Sequence, residues 1–400
     1  MAIPLRAAAL EEVTLDVDVA IIGAGPAGST LAALLAGRGT SVALIDRDVF
    51  PRDKLCGEFL SWDALPVMEP LGVLAAIDAA GSARIRRCRV IGSKRIQEIE
   101  FPHEARGVSR VLLDHLLLQT ATKAGATRLD GWTAGSLLND GVEITRDGEV
   151  REVRAKVIVG AWGRWGRFDQ QLGRAFVRER TRRHFGFKRH YISATSSRDS
   201  ASIELYSFRD GYLGVNDVEG GITNICGLVH VSRLAGHKGR WDAFIDTLRQ
   251  EEPRLEALYG EHLPVQADFL SSDPVIFRAR SAVERGVFMI GDAAGIIDPL
   301  TGNGMAMAIQ SALLAAPKIL GVLKNPVRRA AIEERYRESH RRFFARRIAW
   351  SRAIAAVMSR PWLLDTALGG LGRTSAGAAL LRRTRASRDE VARLAESWFC

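Results

Sequence analysis

Val17-Asp18-Val19-Ala20-Ile21-Ile22-Gly23-Ala24-Gly25-Pro26-Ala27-Gly28 is the stretch that decides the fold. A short apolar run ending in glycine fits a strand buried in a parallel sheet. Residues 29–37, rich in alanine and leucine, read as a helix, and 41–45 as a second buried strand. Strand, glycine turn, helix and strand make a βαβ unit. In such a turn Gly23 permits the tight bend, Gly25 lets the backbone approach a diphosphate, and Gly28 lets the helix pack close to the strand. The helix start beyond Pro26, from Ala27 on, offers free N–H groups and the positive end of the helix dipole to the phosphates. Asp46 ends the second strand, 18 residues after Gly28. An acid there accepts hydrogen bonds from an adenosine ribose and repels a 2′-phosphate.

Further along, residues 109–125 carry Val111, Leu112, Leu116 and Thr120 or Ala121 at turn spacing and read as a helix. Residues 151–160 end in the apolar run VIVG and read as a strand, as do 286–291. Between about 202 and 230, Gly211, Gly214, Gly220 and Gly221 punctuate short β-rich segments, the pattern of an antiparallel meander. Residues 304–322 form a long apolar helix, and 327–400 read as helical and Arg-rich, interrupted near Pro361 and at Gly369, Gly370 and Gly372.

Two more segments bear on the cofactor. One is Phe50-Pro51-Arg52-Asp53-Lys54-Leu55-Cys56-Gly57-Glu58. The other is Gly291-Asp292-Ala293-Ala294-Gly295, followed by Asp298-Pro299-Leu300-Thr301-Gly302-Asn303-Gly304-Met305. With the glycine turn they resemble the FAD-dependent oxidoreductases that include geranylgeranyl reductases and aromatic-ring hydroxylases similar to p-hydroxybenzoate hydroxylase, over about residues 15–325. The resemblance implies FAD as cofactor; with no second glycine fingerprint, the electrons come either from NAD(P)H bound transiently over the flavin or from another protein that supplies reduced flavin. The resemblance also implies that Asp292 meets flavin ribityl or ribose hydroxyls, a role that suits a carboxylate at the C-terminal edge of an open α/β sheet. The loop from Pro299 through Gly302, Asn303 and Gly304 to Met305 precedes a long helix, so its N–H groups suit the flavin N1/O2 edge. Arg110 resembles the family arginine that approaches FAD; a salt bridge to Asp114 one turn on is the competing reading. Arg47, Arg52, Lys54 and Gly291 complete the expected cofactor-binding set. One departure stands out. Trp162, in Ala161-Trp162-Gly163-Arg164-Trp165-Gly166-Arg167, occupies the place of an aspartate that the hydroxylases use in handling FAD and NAD(P)H.

The resemblance leaves several chemistries open. The leading one is a monooxygenase, hydroxylating or epoxidising an aromatic or unsaturated secondary metabolite with O₂ through a flavin C4a-hydroperoxide. The alternative is a double-bond reductase of a prenyl or lipid substrate, since FPRDKLCGE is especially similar to the geranylgeranyl reductase loop. Under that reading the basic C-terminal helices rest on an anionic membrane. A halogenase ranks lower, because the Trp-x-Trp-x-Ile-Pro segment is missing, and a non-catalytic flavin-binding scaffold is the remaining reading. Cys56, Glu58 and Pro299 are the catalytic candidates. Tyr206, Tyr212 and Asn224 are the candidates for meeting a hydrophobic or aromatic substrate.

Composition narrows the rest. The chain has 400 residues, and lysine plus arginine exceed aspartate plus glutamate by 56 − 46 = 10. That excess favours anionic partners, but no nucleic-acid module accompanies it. Arg328, Arg329, Arg335, Arg337, Arg341, Arg342, Arg346 and Arg347 crowd one stretch that reads as a solvated helix face. Cys56, Cys88, Cys226 and Cys400 show no metal-ligand or disulfide spacing, which points to a cytoplasmic protein with reduced thiols. Glu11 and Glu12 spoil a signal-peptide layout, and no apolar run reaches membrane-spanning length. The expected class is α/β (α+β overall). A Rossmann-like FAD domain with a mainly parallel sheet comprises 1–80, 105–185 and 272–325. An antiparallel β substrate domain comprises 81–104 and 186–271, and C-terminal helices fill 326–400.

Overall fold

The computed structural model describes residues 14–178, 184–193, 199–237, 239–272, 274–370 and 375–399. Glu11, Glu12, Gly372 and Cys400, on which parts of the sequence reading rest, lie outside them. Two sheets carry the molecule. In the first, strand Thr14–Ile22 lies between Val42–Asp46 and Glu149–Gly160, and all three run parallel. Thr127–Asp130 and Val287–Met289 extend the parallel run on either side, and a hairpin of Thr133–Leu137 and Gly141–Arg146 is attached antiparallel. Val19 to Ile22 are buried because both faces of this sheet are covered.

Helix Pro26–Ala36 is buried along its whole length, between the sheet and helices Arg110–Lys123 and Gly304–Lys324. It starts three residues before the sequence reading places it. Pro26 takes the first helical position, where no N–H is needed. In helix Arg110–Lys123 the buried face is Leu113, Leu117, Leu118 and Ala121, not the row of Val111, Leu112 and Leu116. Leucines surround most of this helix, so spacing alone could not set its rotation; packing against Pro26–Ala36 did. The Ser109 hydroxyl caps it, accepting the Leu112 N–H at 3.1 Å.

Among the described residues the second sheet has nine strands. Its main path runs His262–Pro264, His184–Ser193, Ile222–His230, Gly211–Asp217, Ser202–Phe208, Ala83–Ile91, Ile96–Gly107 and Phe59–Leu60. It is antiparallel except at one joint, where Ser202–Phe208 pairs parallel to Ala83–Ile91. The chain between those strands passes through the first sheet, so no hairpin can join them. Phe59–Leu60 falls inside the segment assigned from sequence to the cofactor domain, yet pairs with Ile96–Gly107. The loop ending at Glu58 therefore runs straight from one sheet to the edge of the other. Helices Trp241–Glu251 and Pro253–Gly260 cover the back of the second sheet on Phe187, Tyr191, Leu213 and Val229.

Helices Arg329–Met358, Pro361–Gly370, Ser375–Thr384 and Arg388–Phe399 close one side. Most of the arginine-rich stretch is a solvated face, with Arg329–Glu333, Arg337–Glu334 and Arg342–Glu338 pairs at 2.8, 2.8 and 2.7 Å that add little stability. Arg347 is the exception. It is buried, donates to Gln310 Oε1 at 2.8 Å, and burial pushes its pKa down to about 10. Among the described helices only Gly304–Lys324 is long and apolar enough to cross a membrane, and 61% of its apolar window is buried against the rest of the chain.

Candidate FAD site

The three fingerprint glycines do different jobs. At Gly23 φ is +111°, and a Cβ there would lie 2.3 Å from the Ala161 carbonyl oxygen. At Gly28 a Cβ would lie 1.8 Å from the Gly23 carbonyl oxygen. Both are dictated by the close pass of strand, turn and helix. Gly25 differs: a Cβ there would meet only Arg110 Nη2, at 3.7 Å. Its missing side chain leaves room on the cavity side, where a diphosphate has to reach the first N–H groups of helix Pro26–Ala36. Asp46 is set at the strand end by the Ala24 and Asp48 N–H groups, which donate to its two oxygens at 2.7 and 3.0 Å. Lone pairs remain for ribose hydroxyls.

Arg110 makes the Asp114 salt bridge and also lines the cavity. Its Nε and Nη2 donate to Asp114 at 2.7 and 2.6 Å. Burial works against its charge, but Asp114 outweighs that and raises its pKa. Arg52 faces away from the cavity and braces the same Asp114 at 2.7 Å and Asp48 at 3.1 Å. Lys54 lines the cavity, and desolvation, with the charges of Arg110 and Arg52, lowers its pKa. Arg47 lines the cavity mouth with an exposed side chain.

At the other end, Gly291 has φ +59°, and a Cβ would lie 3.0 Å from that of Ala27, so this loop abuts the fingerprint helix. Asp292, Pro299, Leu300, Gly302, Gly304 and Met305 line the cavity. Asn303 does not; it is buried, and its Nδ2 donates to the Thr384 carbonyl at 2.6 Å. Gly302, at φ +63°, is forced by Phe59, whose ring edge would stand 2.7 Å from a Cβ.

Cys56 lines the cavity. Glu58, the carboxyl-bearing candidate, is fully buried at φ +54° and its oxygens are taken. Oε1 accepts from Lys188 Nζ at 2.7 Å and the Arg110 N–H at 2.9 Å, and Oε2 bonds His190 Nε2 at 2.7 Å. Lys188, itself fully buried, also reaches Asp53 at 2.6 Å. Desolvation disfavours its charge, but Glu58 and Asp53 raise its pKa on balance. This arrangement makes Glu58 a fastener between the loop and the second sheet. Asn224 acts with it: it is buried outside the cavity lining, and its Nδ2 donates to the Cys56 carbonyl at 3.3 Å. Tyr212 lines the cavity and donates to Asp298 Oδ1 at 2.6 Å; burial raises the Asp298 pKa to about 6. Tyr206 is on the opposite face of its strand, bonded to Glu204 at 2.8 Å and packed with the rear core, because side chains alternate and Ile203 and Leu205 take the cavity side.

Trp162 turns inward. Its ring fills the space beside Gly160 and Gly166, where Cβ atoms would come within 2.4 and 2.6 Å of it, and its indole donates to Asp169 at 3.4 Å. Asp169 also accepts from Arg174, which reaches on to the Ala293 carbonyl at 2.8 Å and so ties this turn to the Gly291–Asp292 loop. Sequence reasoning missed Arg174, Arg280 and Arg385. Arg280 stacks on Phe176 at 3.7 Å and donates to the Arg164 carbonyl at 2.8 Å. It stands in no motif, so nothing local could have singled it out.

The cavity-facing residues among these enclose about 500 Å³. The cavity runs from Asp46 and Trp132, past Gly25 and Arg110, to Asp292 and the Pro299–Met305 loop, under a roof of Ile203, Leu205, Leu228 and Phe277. The glycine cradle at Gly25, the carboxylates at the two ends and the cation between them fit FAD. Gly25 and Arg110 would hold its diphosphate, Asp46 its adenosine ribose and Asp292 its flavin side. Fold and cavity define a two-sheet flavoprotein with a Rossmann-like cofactor domain. The chain belongs to the FAD binding domain family, which matches residues 16–351. It is 30% identical over 320 residues to a menaquinone reductase of Mycobacterium tuberculosis, covering 75% of each chain. It is 24% identical to a tryptophan 2-halogenase of Chondromyces crocatus, over 84% of this chain and 67% of that one. A geranylgeranyl bacteriochlorophyll reductase-like structure from Thermoplasma acidophilum superposes with a TM-score of 0.77 at 21% identity, over 96% of this chain and 100% of that one. At that identity the likeness concerns the fold.

Proposed function

We propose that this FAD-dependent oxidoreductase is a reductase that saturates a carbon–carbon double bond in an apolar, prenyl-bearing substrate. The observation that carries the reading is the place of Cys56. Its loop is pinned to the second sheet by Glu58–Lys188 and Asn224, and it faces a mostly apolar roof across the cavity. Saturation needs a hydride on one carbon and a proton on the other. Reduced FAD supplies the hydride when bound. The Cys56 thiol is the side chain best placed to deliver the proton and then regain one from solvent. Cys226, on the roof of the same cavity, stays a thiol because burial pushes its pKa up to about 12. Ile203, Leu205, Leu228, Val275 and Phe277 exclude water and hold an isoprenoid chain by apolar contact. The menaquinone reductase relative supports a polyprenyl quinone as the first substrate to try. NAD(P)H is the proposed donor, and a lipid substrate places the protein at the cytoplasmic face of a membrane, against its basic C-terminal helices.

The test is anaerobic incubation of the reduced holoenzyme with menaquinone, followed by mass spectrometry. The expected product gains two hydrogens, and Cys56→Ser slows its formation while FAD stays bound. Oxygen insertion into a phenol with NADPH and air, with no saturation of prenyl chains, would return the function to a monooxygenase. If dithionite bleaches the flavin but NADPH does not, the donor is a partner protein.

A further inference from the structure

Arg385 belongs to the C-terminal region, far in sequence from every motif of the cofactor site, yet it lies against the back of the flavin-facing loop. Its Nη2 donates to the Thr301 carbonyl at 2.8 Å, its Nε to the Ser61 hydroxyl at 3.0 Å, and its Nη1 to the Thr384 hydroxyl at 3.2 Å. Next to it, the Thr384 carbonyl accepts from Asn303 at 2.6 Å. Residues 384 and 385 thus hold both sides of Gly302, the residue of the turn that faces the cavity. Phe59, Trp62 and Phe101 surround the guanidinium, with Trp62 at 4.5 Å from its centre.

The charge of this group matters as much as its hydrogen bonds. Arg385 is 8% exposed, and among the described residues no carboxylate pairs with it within 4.0 Å. Asp63 is the acid whose field reaches it, and Asp63 already accepts from the Ala386 N–H and Gln310. Arginine keeps its proton even when buried. An unpaired cation in a site shielded from water acts more strongly on nearby charge than it would in solvent. The negative charge of reduced flavin develops on the N1/O2 edge, which the Pro299–Met305 loop would face.

We propose that Arg385 is a positioning residue of the cofactor site, which shapes the Thr301–Asn303 turn and favours the reduced, anionic form of FAD over the oxidised form. The C-terminal helices are then part of the redox site. The inference rests on FAD lying along the Pro299–Met305 loop.

Two variants of the full chain separate charge from shape. Arg385→Gln keeps hydrogen-bond donors and removes the charge; Arg385→Lys keeps the charge and loses the fork. Reduction potential is measured by dye-linked titration and FAD affinity by fluorescence. Arg385→Gln should lose at least tenfold in affinity for reduced relative to oxidised FAD, which for a two-electron couple is a potential more negative by about 30 mV. Arg385→Lys should hold the wild-type potential while binding FAD several-fold more weakly. A wild-type potential in the Gln variant, or an equal drop in both variants, overturns the charge assignment. If the Gln variant fails to fold, the Lys variant decides: a potential shifted by as much as 30 mV refutes the proposal. Wild-type protein that takes up no FAD would instead refute the cofactor reading beneath it.

Discussion

Replacing Lys188 by methionine tests whether Glu58 is a fastener or a reacting group. Lys188 and Glu58 are both fully buried and meet at 2.7 Å. Methionine keeps most of the side-chain volume but removes the charge, leaving two carboxylates, Glu58 and Asp53, without their shared cation. Breaking a buried pair from one side costs about 3–5 kcal/mol, because the remaining charge stays uncompensated. The Arg110 N–H and His190 still reach Glu58, so the lower end of that range is expected. Even about 3 kcal/mol is a large fraction of the stability of an ordinary domain. Urea unfolding of the FAD-free protein reads the loss. Lys188→Met combined with Glu58→Gln should recover a large part of it, since the stranded charge is then gone. If Lys188→Met costs under about 1 kcal/mol, or if the double variant is no better than the single, the fastener account of Glu58 is wrong.

Two of the three fingerprint glycines, Gly25 and Gly28, should separate stability from binding. Gly25→Ala meets no protein atom closer than 3.7 Å, so the FAD-free protein should melt as wild type does. Its FAD affinity should fall at least about tenfold, a loss of about 1.4 kcal/mol. Gly28→Ala puts a Cβ 1.8 Å from the Gly23 carbonyl oxygen and should destabilise the FAD-free protein itself, by about 1–3 kcal/mol or more. Calorimetry and FAD titration of both variants check the contrast. A pH prediction concerns His340, whose pKa burial, with help from Arg347, pushes down to about 4. The native state keeps it neutral while the unfolded chain takes up a proton. Stability should therefore drain away as pH falls from about 6.5 to 4, by a sum on the order of 3 kcal/mol. His340→Leu should flatten that part of the profile; unchanged slopes in the variant would place the acid sensitivity elsewhere.

Where the motif is local, the sequence was enough. The apolar run into Gly23, the spacing to Asp46 and the GD and Pro299–Met305 segments identify a βαβ cofactor unit, because their chemistry depends on residues close in the chain. The FAD family and the mixed two-sheet fold follow from them. The tertiary structure decided what a strand's face, a helix's rotation or a distant segment controls. Tyr206 and Tyr212 look alike in sequence, but alternation about their strands sends one to the rear core and the other to the cavity. Glu58 looks like a free carboxylate until Lys188, 130 residues later, arrives on a distant strand of the second sheet. Arg385 has no motif at all; only the packing of the last helices brings it behind Thr301. Contacts of that kind form between elements far apart in the chain, so no window of sequence contains them, although the folded protein needs them to hold its cofactor loop.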